Sequence, residues 1–479
     1  MKKKFTYLVS FIIGLVLIGQ NAFSEIVPVE KAQLVAKNMF FERVNLTKDV
    51  AYNNIFFSEA ITVSENGKPV YYVFNLNNEP GFVLVSAESN AYPVLGYSFE
   101  SYFFPNNLNE ALEAEIQNYK EQITSIRKNN YKSTNEVSEA WAKYAKTSFT
   151  KSTEAIAQAG PLVLTKWDQS CFYNTLCPSA NSGNGYCNHV PTGCVATAMA
   201  QIMKFWSYPS TGIGSNSYNH QTYGTQSANF GTAVYNWAAM PLTLTAENAE
   251  VAKIMYHSGV AMNMNYAPGG SGAVTAYAGE KLASYFKYSP SSQFINKGTN
   301  VIDWHIKIRA NIISGKPVIY SGSGSLGGHA FIIDGFQYPE YYHVNFGWGS
   351  SGDGYYYLNA INSSNNNGTF NLNQGALINI YPSTMAGNKI TNENDNLEDA
   401  IIYPNPNSGS FSLMINNDYS GDVVVNVLDM TSRLIESITI NKSESLISHD
   451  FNFSDLSKGL YYVSIENNGQ KLVKKFIVK

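Results

Sequence analysis

Apolar positions along this chain change their period several times. From Val29 to Phe41 they recur every three or four residues, the spacing of a helix with one buried face. Val70–Phe74 and Gly81–Ser86 are short, β-rich apolar runs on either side of an Asn-Asn-Glu-Pro turn, and predict strands. Helical spacing returns over 107–146, through Leu108, Leu112, Ile116, Tyr119, Ile123 and Ile126, with a polar opposite face. It recurs after Cys194 and over Ala246–Met262. Strand-like runs then take over at Pro317–Ser321, His329–Asp334, Tyr341–Phe346, Gly354–Leu358 and Ala376–Tyr381. After a polar stretch, short alternating runs follow at Phe411–Ile415, Val423–Leu428, Ile435–Ile440, Leu460–Ile465 and Phe476–Val478.

These changes divide the chain. Residues 1–24 read as an export signal: Lys2-Lys3-Lys4, an apolar Leu8–Ile18, and small residues at Ala22 and Ser24 before a cut. The apolar run falls short of the ~20 residues that span a bilayer. Residues 25–156 form an α+β unit with no Cys and no His, so it supplies neither a thiol nor an imidazole; its expected role is to cover, fold or inhibit another unit. Residues 157–382 place helices first and antiparallel strands second, an α+β two-lobed domain with a cleft between the lobes. Residues 383–399 are a polar linker, and 400–479 predict a small β-sandwich.

Composition narrows the class. Of 479 residues 44% are apolar and 14% charged, against ~25% charged in an average soluble chain, and 33 tyrosines and 36 glycines fill the difference. That balance fits an extracellular, strand- and loop-rich protein. A net charge of −4 without a dense basic block argues against nucleic acid as a partner. All four cysteines, Cys171, Cys177, Cys187 and Cys194, lie close together. If Cys194 is free, an exported protein allows one disulfide among the other three, and spacing does not say which. A zinc site from Cys171, Cys177, Cys187 and His189 is the rival, but the spacings lack a paired C-x-x-C arrangement. No metal and no cofactor are expected.

The chemistry centres on Cys194, which opens the apolar stretch Val195–Met203 after Gly193. A thiol at a helix N-terminus lies in the positive end of the dipole, which favours the nucleophilic thiolate. Its own N–H would form half of an oxyanion hole. The bland alternative is a small buried cysteine. His329 follows a Ser/Gly-rich loop and leads into Phe331-Ile332-Ile333, so a rigid strand would hold an imidazole at an open cleft, as a general base requires. His343, in His343-Val344-Asn345, is a weaker candidate base. Asn345 is expected to accept the His329 N–H and fix its tautomer, with Trp348 shielding that bond. Gln169 is the candidate second oxyanion donor, against the reading of a surface glutamine.

Residues 157–382 resemble the streptopain family of papain-like cysteine peptidases. The resemblance rests on Thr192–Ala198 with Gln201–Lys204, on Asn263–Tyr266, on Gly328–Phe331 with Ile333-Asp334-Gly335, and on Tyr342–Asn345 with Gly347-Trp348-Gly349. It implies Cys194 as nucleophile, His329 as base, and an endopeptidase acting on proteins or peptides. Phe346 stands where the family usually carries Trp. Gly81–Ala87 and Pro93–Ser98 resemble that family's propeptide, which implies a zymogen whose prosegment is an intramolecular inhibitor, cut near 157–161. Tyr403-Pro404-Asn405-Pro406, Leu456–Tyr461 and the basic Lys471–Lys479 resemble the type IX secretion sorting domain, which implies export through the periplasm and outer-membrane machinery. Two other readings are a non-catalytic surface adhesin or inhibitor on the same scaffold, and acyl transfer or amidase action by the same dyad.

Overall fold

The computed structural model describes residues 25–479 apart from 151–155, 157, 181–185, 299–300, 325–326, 359–360, 363–373, 387–399, 404, 417–419, 432, 444–445, 454 and 468–469. The export signal and most of the expected linker lie outside the described residues. Among the described residues no helix is long and apolar enough to cross a membrane.

The N-terminal unit runs α1 (Val29–Val44), β1 (Ile61–Glu65), β2 (Lys68–Asn75), β3 (Phe82–Ser86), β4 (Val94–Ser98), α2 (Glu110–Asn129) and α3 (Asn135–Tyr144). The periodic stretch at 107–146 is thus two helices. Asn109 caps the first by accepting from Leu112 N, with Glu110 and Glu113 in its first turn and Arg127 and Lys128 in its last. Left-handed Asn130 ends it, and Thr134 caps the second. The spacing read in the sequence is the buried face: Leu112, Ile116, Tyr119, Ile123 and Ile126 are each at most 2% exposed.

The central unit continues with β5 (Gln158–Ala159), α4 (Cys194–Trp206), β6 (Ser215–His220), β7 (Gly224–Asn229), α5 (Ala249–Ala261), α6 (Ala278–Phe286), β8 (Gln293–Asn296), α7 (Val301–Ile313), β9 (Val318–Gly324), β10 (Gly327–Gln337), β11 (Tyr341–Asn345), β12 (Gly354–Tyr357) and β13 (Gly375–Ile378). Helices α4–α6 precede most of the strands, but β6, β7 and β8 lie among the helices and α7 lies among the strands, so the order is less segregated than the sequence predicts. Helices α4, α5 and α6 share one apolar core with Ile319, Ala330 and Ile332 of the sheet.

The two units do not have separate sheets. One antiparallel sheet runs β1-β2-β3-β4-β12-β11-β10-β9-β13-β8, with β5 also on β10. The joint is β4 on β12, where Gly96 faces Tyr356 and Tyr97 faces Tyr355. A single core cluster extends from α1 and β2–β4 into β9–β12. Tyrosines concentrate here. Tyr97 stacks on Tyr355 and Tyr92 on Tyr357. Tyr341 donates to Val94 O at 2.9 Å, and Tyr119 to Leu95 O and Tyr357 O at 2.9 and 3.0 Å. The rings bury apolar area, and the hydroxyls of Tyr341 and Tyr119 satisfy backbone carbonyls at the joint.

From residue 400 onward, β14 (Ala400–Tyr403), β15 (Ser410–Asn416), β16 (Gly421–Asp429), β17 (Leu434–Lys442), β18 (Leu446–Asn452), β19 (Gly459–Asn467) and β20 (Gln470–Val478) form two sheets, β14-β15-β18 and β17-β16-β19-β20. Phe411, Leu413, Val425, Val463 and Phe476 belong to one core between them.

Candidate active site

Helix α4 opens at Gly193 and Cys194. Gly193 has φ +90°, and a Cβ there would stand 2.8 Å from Ser271 O and from the Met264 sulfur, so glycine is required. No side chain caps the helix, which leaves its first N–H groups free to face the thiol and whatever it attacks. Residues Val195 to Met203 are all buried, so Cys194 rides on a rigid element packed against β10 and α5.

His329 stands near the start of β10, opposite Gly322 of β9, with both strands reaching toward a hairpin end. The backbone N–H of its neighbour Ala330 lies close enough to the Cys194 thiol to favour its charged form. The two residues singled out in the sequence, remote along the chain, are therefore brought to one place. The thiol is not yet a thiolate. Burial pushes it up, outweighing the N–H groups of Ala330, Val195 and Cys194 that favour the charged form. Burial likewise pushes His329 down, and its Nε2 has no hydrogen-bond partner.

The N-terminal unit adds a negative charge here, which raises both the thiol and the imidazole. Glu110, first residue of α2, has its Oε2 3.9 Å from His329 Nδ1. Its charge is felt at Cys194, at His329 and at Tyr186. A carboxylate from the N-terminal unit thus stands beside His329.

The supporting residues divide. Gln169 is 5% exposed, so it is not a surface glutamine. Its carbonyl accepts from Thr192 N at 3.0 Å, which sets it beside the Cys194 turn. Asp168 Oδ1 accepts from the N–H groups of Gln169 and Ser170 at 2.5 and 2.9 Å and holds that turn. Asn345 is not brought to His329. Its Nδ2 donates to Thr165 O at 2.8 Å, and its Oδ1 accepts from Gln201 Nε2 at 3.2 Å and Gly347 N at 3.1 Å. It ties β11 to α4 instead of orienting the imidazole. Trp348 is half-buried against the joint core, and Phe346 is buried between Phe331 and Tyr356.

Gln201 carried no role in the sequence reading. It is fully buried, and its Oε1 accepts from Thr165 Oγ1 at 2.8 Å and Trp167 N at 3.3 Å. The available signal was an amide on the buried face of an apolar helix. His343 is no free base: Asp334 lies 2.5 Å from its Nδ1 and Glu100 2.7 Å from its Nε2. Burial lowers its affinity for a proton, but those carboxylates outweigh it and hold the imidazolium up to about 10. Cys171 and Cys187 are disulfide-bonded, which removes both from any zinc set. Cys177 is a buried free thiol pushed up to about 12.

Comparison with known proteins places the chain in a family. The Peptidase C10 family matches residues 167–356, the Spi protease inhibitor 24–123, and the secretion system C-terminal sorting domain 401–479. The thiol protease/hemagglutinin PrtT of Porphyromonas gingivalis is 28% identical over 369 residues, 74% of this chain; the chain spans 42% of that protein's length. Streptopain of Streptococcus pyogenes serotype M1 is 32% identical over 336 residues, 65% of this chain and 80% of streptopain. A mutant prointerpain A fragment from Prevotella intermedia superposes with a TM-score of 0.54 at 28% identity, over 68% of this chain and 99% of the fragment. With a buried-helix cysteine beside the strand of His329, and these matches over its three parts, the chain belongs to the Peptidase C10 family of streptopain-like cysteine peptidases, flanked by an inhibitor-like domain and a secretion sorting domain.

Proposed function

We propose that this protein is a secreted cysteine endopeptidase made as a zymogen, with Cys194 as nucleophile and His329 as general base. The observation that carries the assignment is that the backbone N–H of Ala330, next to His329, comes close enough to the Cys194 thiol to favour its charged form, at the uncapped start of α4. Once Glu110 and the unit behind it leave, the thiol and imidazole share a proton as thiolate and imidazolium. The sulfur attacks the scissile carbonyl. The N–H of Cys194 and the side chain of Gln169 hold the oxyanion, a donor of that kind being worth ~3 kcal/mol. His329 protonates the departing amine, then activates water to hydrolyse the thioester. Asn345 acts as a positioning residue through Gln201, and Trp348 as packing behind it.

The units are read as a propeptide over 25–156, a papain-like two-lobed peptidase domain over 157–382, a linker over 383–399 and a sorting β-sandwich over 400–479. The two sheets about one core support the last. Residues 1–24 and 400–479 would take the chain into the periplasm and then across the outer membrane. Purified precursor is tested beside Cys194→Ala by peptide hydrolysis and intact mass. Wild type should shorten near 157–161 and hydrolyse peptide; Cys194→Ala should fold, stay full length and be inactive. Peptide hydrolysis by Cys194→Ala overturns the assignment.

A further inference from the structure

A second carboxylate of the N-terminal unit enters the peptidase unit away from the cleft. Glu100 follows β4 and bridges two bases, with Oε1 2.7 Å from His343 Nε2 and Oε2 2.7 Å from Lys166 Nζ. Neither base belongs to the N-terminal unit. His343 Nδ1 is held by Asp334 at 2.5 Å, and Lys166 also reaches Asp353 Oδ2 at 3.4 Å. Backbone fixes both acids: Asp334 Oδ2 accepts from Val163 N at 2.7 Å, and Asp353 Oδ1 from Phe346 N at 2.9 Å.

The peptidase unit therefore owns a balanced set, with His343 and Lys166 against Asp334 and Asp353. Glu100 is a third carboxylate added from outside. It finds one imidazole N–H and one ammonium already aimed at it, each steadied on its far side by an acid of its own unit. The loop that delivers it is held as well. Ser98 Oγ donates to Asp353 O at 2.7 Å and accepts from Glu100 N and Ser101 N, each at 3.1 Å.

Resting on the zymogen reading above, we propose that His343 and Lys166 form a carboxylate-receiving site of the peptidase unit, filled in the precursor by Glu100, and that this seating retains the prodomain. The protonation states fit it. Burial raises Glu100, but His343 and Lys166 outweigh burial and hold it down to about 2, so it is charged at neutral pH.

The test compares wild-type precursor with Glu100→Gln. Glu100 lies upstream of the proposed cut, so both precursors release the same mature enzyme. Iodoacetamide labelling of Cys194 in uncut precursor reports how often the prodomain lifts. Glu100→Gln should label at least tenfold faster and shorten the lag before peptidase activity, while the released enzymes share one kcat/KM. Glu113→Gln, at an exposed carboxylate of α2, should match wild type. Labelling and lag unchanged in Glu100→Gln overturn the proposal. If Glu100→Gln does not accumulate folded, Glu100→Asp replaces it: faster labelling supports the site, and a wild-type rate overturns it. Released enzymes that are both inactive would count against the peptidase assignment alone, because labelling still reads the latch.

Discussion

Adding one methyl group at the β4–β12 joint should loosen the prodomain without altering the mature enzyme. In Gly96→Ala the new Cβ would lie 2.8 Å from Tyr356 Cδ1, and 3.1 Å from both Cε1 and Tyr355 O. Carbon atoms in good contact sit ~3.5–4.0 Å apart. Tyr356 cannot swing away, since it is fully buried, packs edge-on against Phe346, and donates its hydroxyl to Gly352 O at 2.5 Å. The strands must part, although only two residue pairs join them.

Overpacking of this kind costs about 1–3 kcal/mol. At 1.4 kcal/mol per tenfold, that is roughly 5- to 150-fold in the equilibrium between seated and lifted prodomain. The alkylation rate of Cys194 in uncut precursor follows the same equilibrium and should rise by that factor. Mature enzyme from the variant should have wild-type kcat/KM. An unchanged alkylation rate in folded Gly96→Ala precursor would refute the reasoning, because it would mean the joint carries none of the closure.

Gln201→Leu should destabilise the protein by about 2–6 kcal/mol in urea unfolding, measured on a Cys194→Ala background. It leaves Thr165 Oγ1 and Trp167 N–H without their acceptor, and buried polar groups so orphaned cost about 1–3 kcal/mol each; an unshifted midpoint contradicts the role given to Gln201. The prodomain should seat more tightly as pH falls from about 7.5 to 5. Burial raises Glu115 of α2 to about 7, and burial with Glu100 raises Asp353 to about 6. Groups raised in the seated state stabilise it fully below their free values and lose that contribution as pH climbs through the seated ones. Lys297, lowered to about 8 by burial, stays charged throughout this window, and Glu100 fails only as pH drops toward 2. Alkylation of Cys194, corrected for its thiolate fraction, should therefore accelerate from pH 5 to 7.5, and a flat profile would exclude the linkage.

The helix that starts at Cys194 and the strand that carries His329 were legible because their cues are local: a glycine before an apolar helix, and a glycine-rich turn before an apolar strand. The same holds for α2, whose apolar spacing and polar caps lie within a few residues of one another. The partner of Asn345 was not legible. Its position in β11 follows from sequence, but which group crosses to meet it depends on how α4 packs, and that group is Gln201 rather than His329. The shared sheet was hidden for a similar reason. Gly354–Leu358 reads as an ordinary strand, Val94–Ser98 does not, and nothing near either says that they pair. Only the tyrosine content hinted at a large buried surface with many backbone groups to satisfy. Isolated carboxylates such as Glu100 and Glu110 carry no local sign of their targets.

Those two carboxylates do different work, and their surroundings show why. Glu110 is 54% exposed and 3.9 Å from His329, and an exposed pair of that kind contributes about 0–1 kcal/mol. It blocks by position and holds little. Retention must come from groups removed from water: the apolar core shared across the joint, the tyrosines that bridge it, and Glu100 between His343 and Lys166. None of these depends on the chain between 144 and 158 being intact. Cutting near 157–161 would sever the tether yet leave the cleft covered, so activation requires a second event that unseats Glu100 and parts β4 from β12.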